Sequence, residues 1–147
     1  MRHLIALLFV LALTPLAAAR AETPIFSEDD GIAIRGYDVV SYFQAGRPIE
    51  GRTDIAVMWK GVVWRFSTDS NREMFESNPR AYAPRFGGYC AYAVSNGYLM
   101  SGDPTAWEIV DGQLYLTFNP AVREIWKQDQ ATHISQAQGH WPAVVRD

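Results

Sequence analysis

Ile55-Ala56-Val57-Met58-Trp59-Lys60-Gly61-Val62-Val63-Trp64-Arg65-Phe66 is the stretch that decides the fold class. Ile55, Val57 and Trp59 share one face of an extended segment, and Val62, Trp64 and Phe66 share a face of the next. Lys60-Gly61 between them supplies a two-residue turn, because glycine enters left-handed backbone space at little steric cost. The stretch reads as a β-hairpin.

Helices are expected to follow it. Thr68 or Asp69 can cap a helix that carries Met74 and Phe75 inward and stops before Pro79. Gly97 to Pro104 reads as a turn-rich loop. Trp107 and Ile109, then Leu114, Leu116 and Phe118, alternate on either side of Asp111-Gly112, a second hairpin signal. Asn119 caps a helix with Pro120 at its first position. Val122, Ile125, Trp126, His133, Ile134 and Ala137 fall near one helical face, with a break near Asp129 to Thr132. Gly139 is expected to end that helix, and Trp141-Pro142 to tuck the tail back.

Upstream of the hairpin, Gln44 to Asp54 reads as a loop around Gly46, Pro48 and Gly51. Tyr37 to Phe43 reads as a strand or a single helical turn with buried apolar residues. Ile32 and Ile34 alternate as in a short strand. Glu22 to Asp30 reads as a loose leader. The expected fold is therefore α+β: one compact domain over residues 31–142, antiparallel hairpins packed with a short central helix and C-terminal helices, and a tail over 143–147.

The chain's 147 residues suffice for one domain with a core, and with 48% apolar and 13% aromatic residues it is not a disordered segment. Residues 1–21 read as a signal peptide. Arg2 and His3 precede a ten-residue apolar run, Leu4 to Leu13, which is too short to span a bilayer stably, and Ala19-Arg20-Ala21 offers a cleavage site. The expected location is the periplasm of a bacterium with two membranes, with no stable membrane span after cleavage. Formal charge is -3, and cleavage after Ala21 removes Arg2 and Arg20 but no acid, leaving -5. With no basic run or stripe, nucleic acid is excluded as a partner.

Chemistry then centres on Tyr82-Ala83-Pro84-Arg85-Phe86-Gly87-Gly88-Tyr89-Cys90-Ala91-Tyr92, which holds the single cysteine of the chain. One cysteine forms no internal disulfide, so Cys90 is a buried hydrophobe, a thiol paired with another molecule, or a functional thiol. The glycine pair ahead of it supplies backbone freedom that simple core filling does not require. No CxxC, HxxxH or close acidic cluster gives a local metal motif. His133 and His140 are seven apart, but Gly139 argues against continuous helix between them. Met58, Met74 and Met100 are scattered soft ligands that read as packing. No nucleophile signature surrounds Cys90, and no glycine loop has phosphate-binding spacing.

Several motifs in order resemble the exported branch of the YHS-domain family. They are Gly36-Tyr37-Asp38-Val39-Val40-Ser41-Tyr42-Phe43, Trp64-Arg65-Phe66-Ser67, Asn78 through Ala91, Gly102-Asp103-Pro104, and Asp111-Gly112-Gln113-Leu114-Tyr115-Leu116. The resemblance covers roughly residues 31 to 142 and implies a compact α+β fold. The wider family is similar to small metal-binding modules, some attached to copper-handling transporters, with cysteines in a DPVCG-like and an FCSxxC-like segment. In this sequence Ser41, Ser67 and Asn71 stand at those positions. The exported branch includes selenoproteins, and selenium at the equivalent of Cys90 would imply redox or soft-metal work there.

The leading expectation is a non-enzymatic exported module that holds a soft metal, copper, through Cys90, with Tyr37, Asp38 and His133 in supporting roles. A second is a redox thiol cycling through sulfenic acid or a mixed disulfide with a partner protein. A third is an interaction scaffold with an inert cysteine.

Overall fold

The computed structural model describes residues 25–146. Two minimal strands open the chain, β1 (Glu28–Asp29) and β2 (Ile32–Ala33). A one-turn helix α1 (Ser41–Gln44) leads into the first hairpin, β3 (Arg52–Trp59) and β4 (Val62–Phe66). Next come α2 (Asp69–Ser77), α3 (Pro79–Tyr82) and α4 (Ala91–Ser95). The second hairpin is β5 (Asp103–Val110) and β6 (Gln113–Thr117), followed by α5 (Pro120–Lys127) and α6 (Gln130–His140). The chain is α+β, as its patterning implies. One sheet has strand order β1-β2-β4-β3, with β2 parallel to β4 and the other pairs antiparallel, and the second sheet is β5-β6.

Both hairpins turn as their sequences dictate. Lys60 (φ 50°) with Gly61 (φ 84°), and Asp111 (φ 51°) with Gly112 (φ 73°), place two left-handed residues in each turn. That geometry matches the twist of the flanking strands. Val57 then faces Trp64, and Ile109 faces Leu114. The caps also form as expected. The Thr68 hydroxyl accepts the Asn71 N–H at 3.1 Å, and Asn119 Oδ1 accepts the Val122 N–H at 2.9 Å.

The core has two parts, and β6 joins them. Leu114 and Leu116 pack into a cluster with Val39, Val40, Trp64, Phe66 and Phe75. Tyr115, pointing the other way, packs with Phe86, Val94, Trp126 and Ala137. A strand alternates its side chains between faces, so a strand buried on both sides serves two cores.

Several local expectations are corrected. Phe26, read within a loose leader, is buried 5.2 Å from Trp64 and 5.5 Å from Trp59, ring centre to ring centre, and the Ser27 N–H donates to the Gly87 carbonyl at 2.8 Å. Aromatic contact outweighs the polar composition of that segment. Residues 22–24 of that leader and the apolar run read as a signal lie outside the described residues. Arg52 to Asp54, expected in a loop, begin β3, and Asp103 and Pro104 begin β5. Phe118, grouped with Leu114 and Leu116, is 43% exposed because β6 ends at Thr117. Gly139 does not end α6, which runs through it to His140. A helical glycine costs only about 1 kcal/mol, and α6 is held by packing against α4. Val145, in the expected tail, is buried against the second cluster. Among the described residues no helix is long and apolar enough to cross a membrane.

Candidate functional site

The glycine-rich turn is built by steric necessity. Gly87 (φ +63°) lies so close to the N-terminal segment that a Cβ there would meet the Ile25 carbonyl oxygen at 1.9 Å. A Cβ on Gly102 would meet the Gly88 carbonyl oxygen at 2.4 Å. The glycines therefore let three backbone segments cross at one point. Phe86 between Arg85 and Gly87 has φ +53°, and Ile34, in the turn beside Gly88, has φ +42°. Left-handed backbone costs a non-glycine residue about 1–2 kcal/mol, and the packing of these turns holds it in place.

Cys90 emerges from that crossing into the core. It is 1% exposed. Its N–H donates to the Met100 carbonyl at 2.8 Å, and its own carbonyl accepts the Val94 N–H at 3.0 Å. It pairs by an isolated parallel bridge with Leu116. The backbone freedom ahead of Cys90 thus serves segment crossing and does not expose the thiol. A nucleophilic or metal-binding thiolate needs access and an electropositive setting, and burial withholds the first.

Asp38, next to Val39 and Val40 of the first cluster, occupies a polar centre. It is fully buried. Its Oδ1 accepts the Val40 N–H at 2.9 Å and the Ser41 N–H at 3.3 Å. Its Oδ2 accepts the Ser67 N–H at 2.8 Å, the Ser67 hydroxyl at 2.6 Å and the Asn71 amide at 2.7 Å. Ser41 Oγ is itself engaged, within 2.7 Å of the Asp38 carbonyl and 3.0 Å of the Arg47 carbonyl, while it accepts the Ile49 N–H at 3.1 Å. The carboxyl group thus ties α1, the end of β4 and the start of α2 into one unit. Such satisfaction is what a buried acid requires. Ser67 and Asn71 belong to the site, and sequence reasoning did not single them out except through the resemblance. They stand four apart because α2 begins between them.

The remaining candidates lie elsewhere. Tyr37, half-buried, pairs with Glu50 by an isolated bridge. His133 on α6 stacks edgewise on Tyr92 of α4 at 5.0 Å, and its Nδ1 lies 3.4 Å from the Ser95 hydroxyl. His140 lies on the same continuous helix, contrary to the break expected at Gly139, with its ring against Gly97. Among the described residues no three His, Cys, Asp or Glu side chains group as a metal ion would require, so Cys90, Asp38 and His133 do not converge.

Tyr42 is the strongly perturbed group. Burial pushes its hydroxyl far above the ordinary tyrosine value, with Tyr37, Asp103 and Asp38 adding to the rise. Its O–H donates to the Pro104 carbonyl at 2.8 Å, so the neutral form is the one the fold uses. No protein-family model, curated protein or solved structure matches the chain.

Proposed function

We propose that the chain is an exported, YHS-like binding module that acts through its surface, with Cys90 as a packed core residue. The observation that carries this reading is the burial of Cys90 to 1% exposure with both its backbone groups hydrogen-bonded. A thiol so placed fits the inert-cysteine alternative better than the copper or the redox alternative. The YHS likeness draws support from the meeting of Ser41, Ser67 and Asn71 around Asp38. These are the three positions at which the resemblance puts cysteines. Here the Ser67 hydroxyl, the Asn71 amide and the Ser41 backbone N–H reach a carboxyl group, while the Ser41 hydroxyl bonds the Asp38 carbonyl.

The test is alkylation of Cys90 by iodoacetamide in native buffer and in denaturant. The native thiol is expected to react at least about 1,000-fold more slowly than the unfolded one, because opening must precede reaction. Reaction within about tenfold of the unfolded rate overturns the reading. So does one equivalent of Cu(I) bound by the native chain and lost in Cys90→Ser.

A further inference from the structure

A groove of about 320 Å³ lies where the β3–β4 turn, α3, the glycine-rich turn and Trp141 meet. That volume is at the small end of the ligand-pocket range of about 300–1,000 Å³. Its walls carry Trp59, Phe86 and Trp141, and its charged residues are Lys60, Arg80 and Arg85. No acidic residue lines it among the described residues. The Lys60 ammonium sits 5.1 Å from the Trp59 ring centre, and the Arg85 guanidinium 6.0 Å from that of Phe86.

Two features separate this groove from ordinary surface. The first is its sign. The chain has 16 acidic and 13 basic residues, yet three cations gather here without an acid. Arg52, Arg72, Arg123 and Lys127 are matched to carboxylates. Arg35, Arg47, Arg65 and Arg146 are unmatched among the described residues but do not line this groove, so the distinction is the gathering of three cations in one place. Among the described residues, none of Lys60, Arg80 and Arg85 has such a match. Arg85 instead lies over the Phe86 ring. The second feature is rigidity. Trp141 contacts Phe86 at 6.0 Å and Tyr89 at 6.3 Å between ring centres, and Phe86 is fixed in a left-handed turn. Aromatic walls held by packing present a preformed apolar surface beside fixed positive charge.

We infer that this groove binds a small amphipathic anion: a carboxylate, sulfonate or phosphate head reached by Lys60, Arg80 and Arg85, on an apolar or aromatic body lying against Trp59, Phe86 and Trp141. The inference rests on the reading of the chain as a binding module and gives that module its ligand class. A polyanion is the poorer match, since three cations in a short groove on an acidic protein give no extended track.

The test titrates the purified chain with two fluorescent probes that share an aromatic frame. One, 8-anilinonaphthalene-1-sulfonate, carries an anionic head, and the other, N-phenyl-1-naphthylamine, carries none. The sulfonate is expected to bind at one saturable site. Its affinity should fall about tenfold in the Lys60→Gln, Arg80→Gln double variant, both residues being exposed. The neutral probe should bind wild type and variant alike. A salt titration of the unaltered chain gives the same answer without mutation, with sulfonate affinity falling as screening rises and neutral-probe affinity holding. Absence of a saturable sulfonate site overturns the inference, and so does sulfonate binding indifferent to both salt and the substitutions. Either failure beside a protected Cys90 removes the groove and leaves the binding-module reading. A fast-reacting Cys90 removes that reading whatever the probes show.

Discussion

Ser67 Oγ stands 2.6 Å from Asp38 Oδ2, across 29 positions of chain. Every close partner of the Asp38 carboxyl group is a donor: three backbone N–H groups, one hydroxyl and one amide. Asp38→Asn keeps the shape but turns one acceptor into a donor, which must then face a donor whichever way the amide is flipped. The variant is expected to lose about 3 kcal/mol in urea unfolding, because buried donors are left without partners. A loss below about 1 kcal/mol would mean that the centre does not hold α1, β4 and α2 together.

What the sequence revealed and what it hid divide by the range of the interaction. The turns at Lys60-Gly61 and Asp111-Gly112, and the caps at Thr68 and Asn119, are settled within about four residues, so local chemistry identifies them. Asp38 could be named a candidate, but its role depends on Ser67 and Asn71, which the parallel pairing of β2 with β4 helps bring into reach. Phe26 was hidden for the same reason: its burial depends on Trp59 and Trp64, and nothing in Glu22 to Asp30 announces it. The glycine pair before Cys90 was visible as backbone freedom. Its use could not be seen, because the crossing partners, Ile25 and Gly102, are distant in sequence.

Cys90 gives a second expectation. In a packed, apolar setting, Cys90→Ala should cost about 1 kcal/mol through the small space it leaves. Cys90→Ser should cost more, about 2 kcal/mol, because it buries a hydroxyl in place of a thiol that needs no partner. Equilibrium unfolding of the pair decides the matter. A serine variant more stable than the alanine variant would place a polar partner beside Sγ and undercut the inert-core reading.

Tyr42 sets the alkaline limit of stability. Its hydroxyl titrates well above the ordinary value of 10.0 in the folded chain, because burial disfavours the phenolate. Above about pH 10 the unfolded chain releases this proton while the folded chain keeps it, so stability falls with rising pH, by about 1.4 kcal/mol per unit for one group. Tyr42→Phe leaves the Pro104 carbonyl without that donor and should cost about 1–2 kcal/mol at pH 7. It removes the titration, so the two stability curves should meet near about pH 11. Tyr89 and Tyr115, also raised by burial, leave some alkaline loss in the variant. Parallel curves from pH 7 to pH 11 would show that Tyr42 ionises freely in the folded state.

Two glycines with left-handed backbones separate conformational strain from close approach. At Gly31 (φ +75°) a Cβ would meet nothing within 4 Å, whereas at Gly87 (φ +63°) it would stand 1.9 Å from the Ile25 carbonyl oxygen. Gly31→Ala should therefore cost only the left-handed penalty, about 1–2 kcal/mol. Gly87→Ala must in addition push the N-terminal segment off the turn. It should break the bond from the Ser27 N–H to the Gly87 carbonyl and loosen Phe26 from Trp59 and Trp64. A loss above about 3 kcal/mol is expected, together with faster hydrogen exchange at Ser27. Equal losses in the two variants, with Ser27 exchange unchanged, would mean that the segment does not cross the turn as described, and that the freedom of the glycine pair serves Cys90 after all.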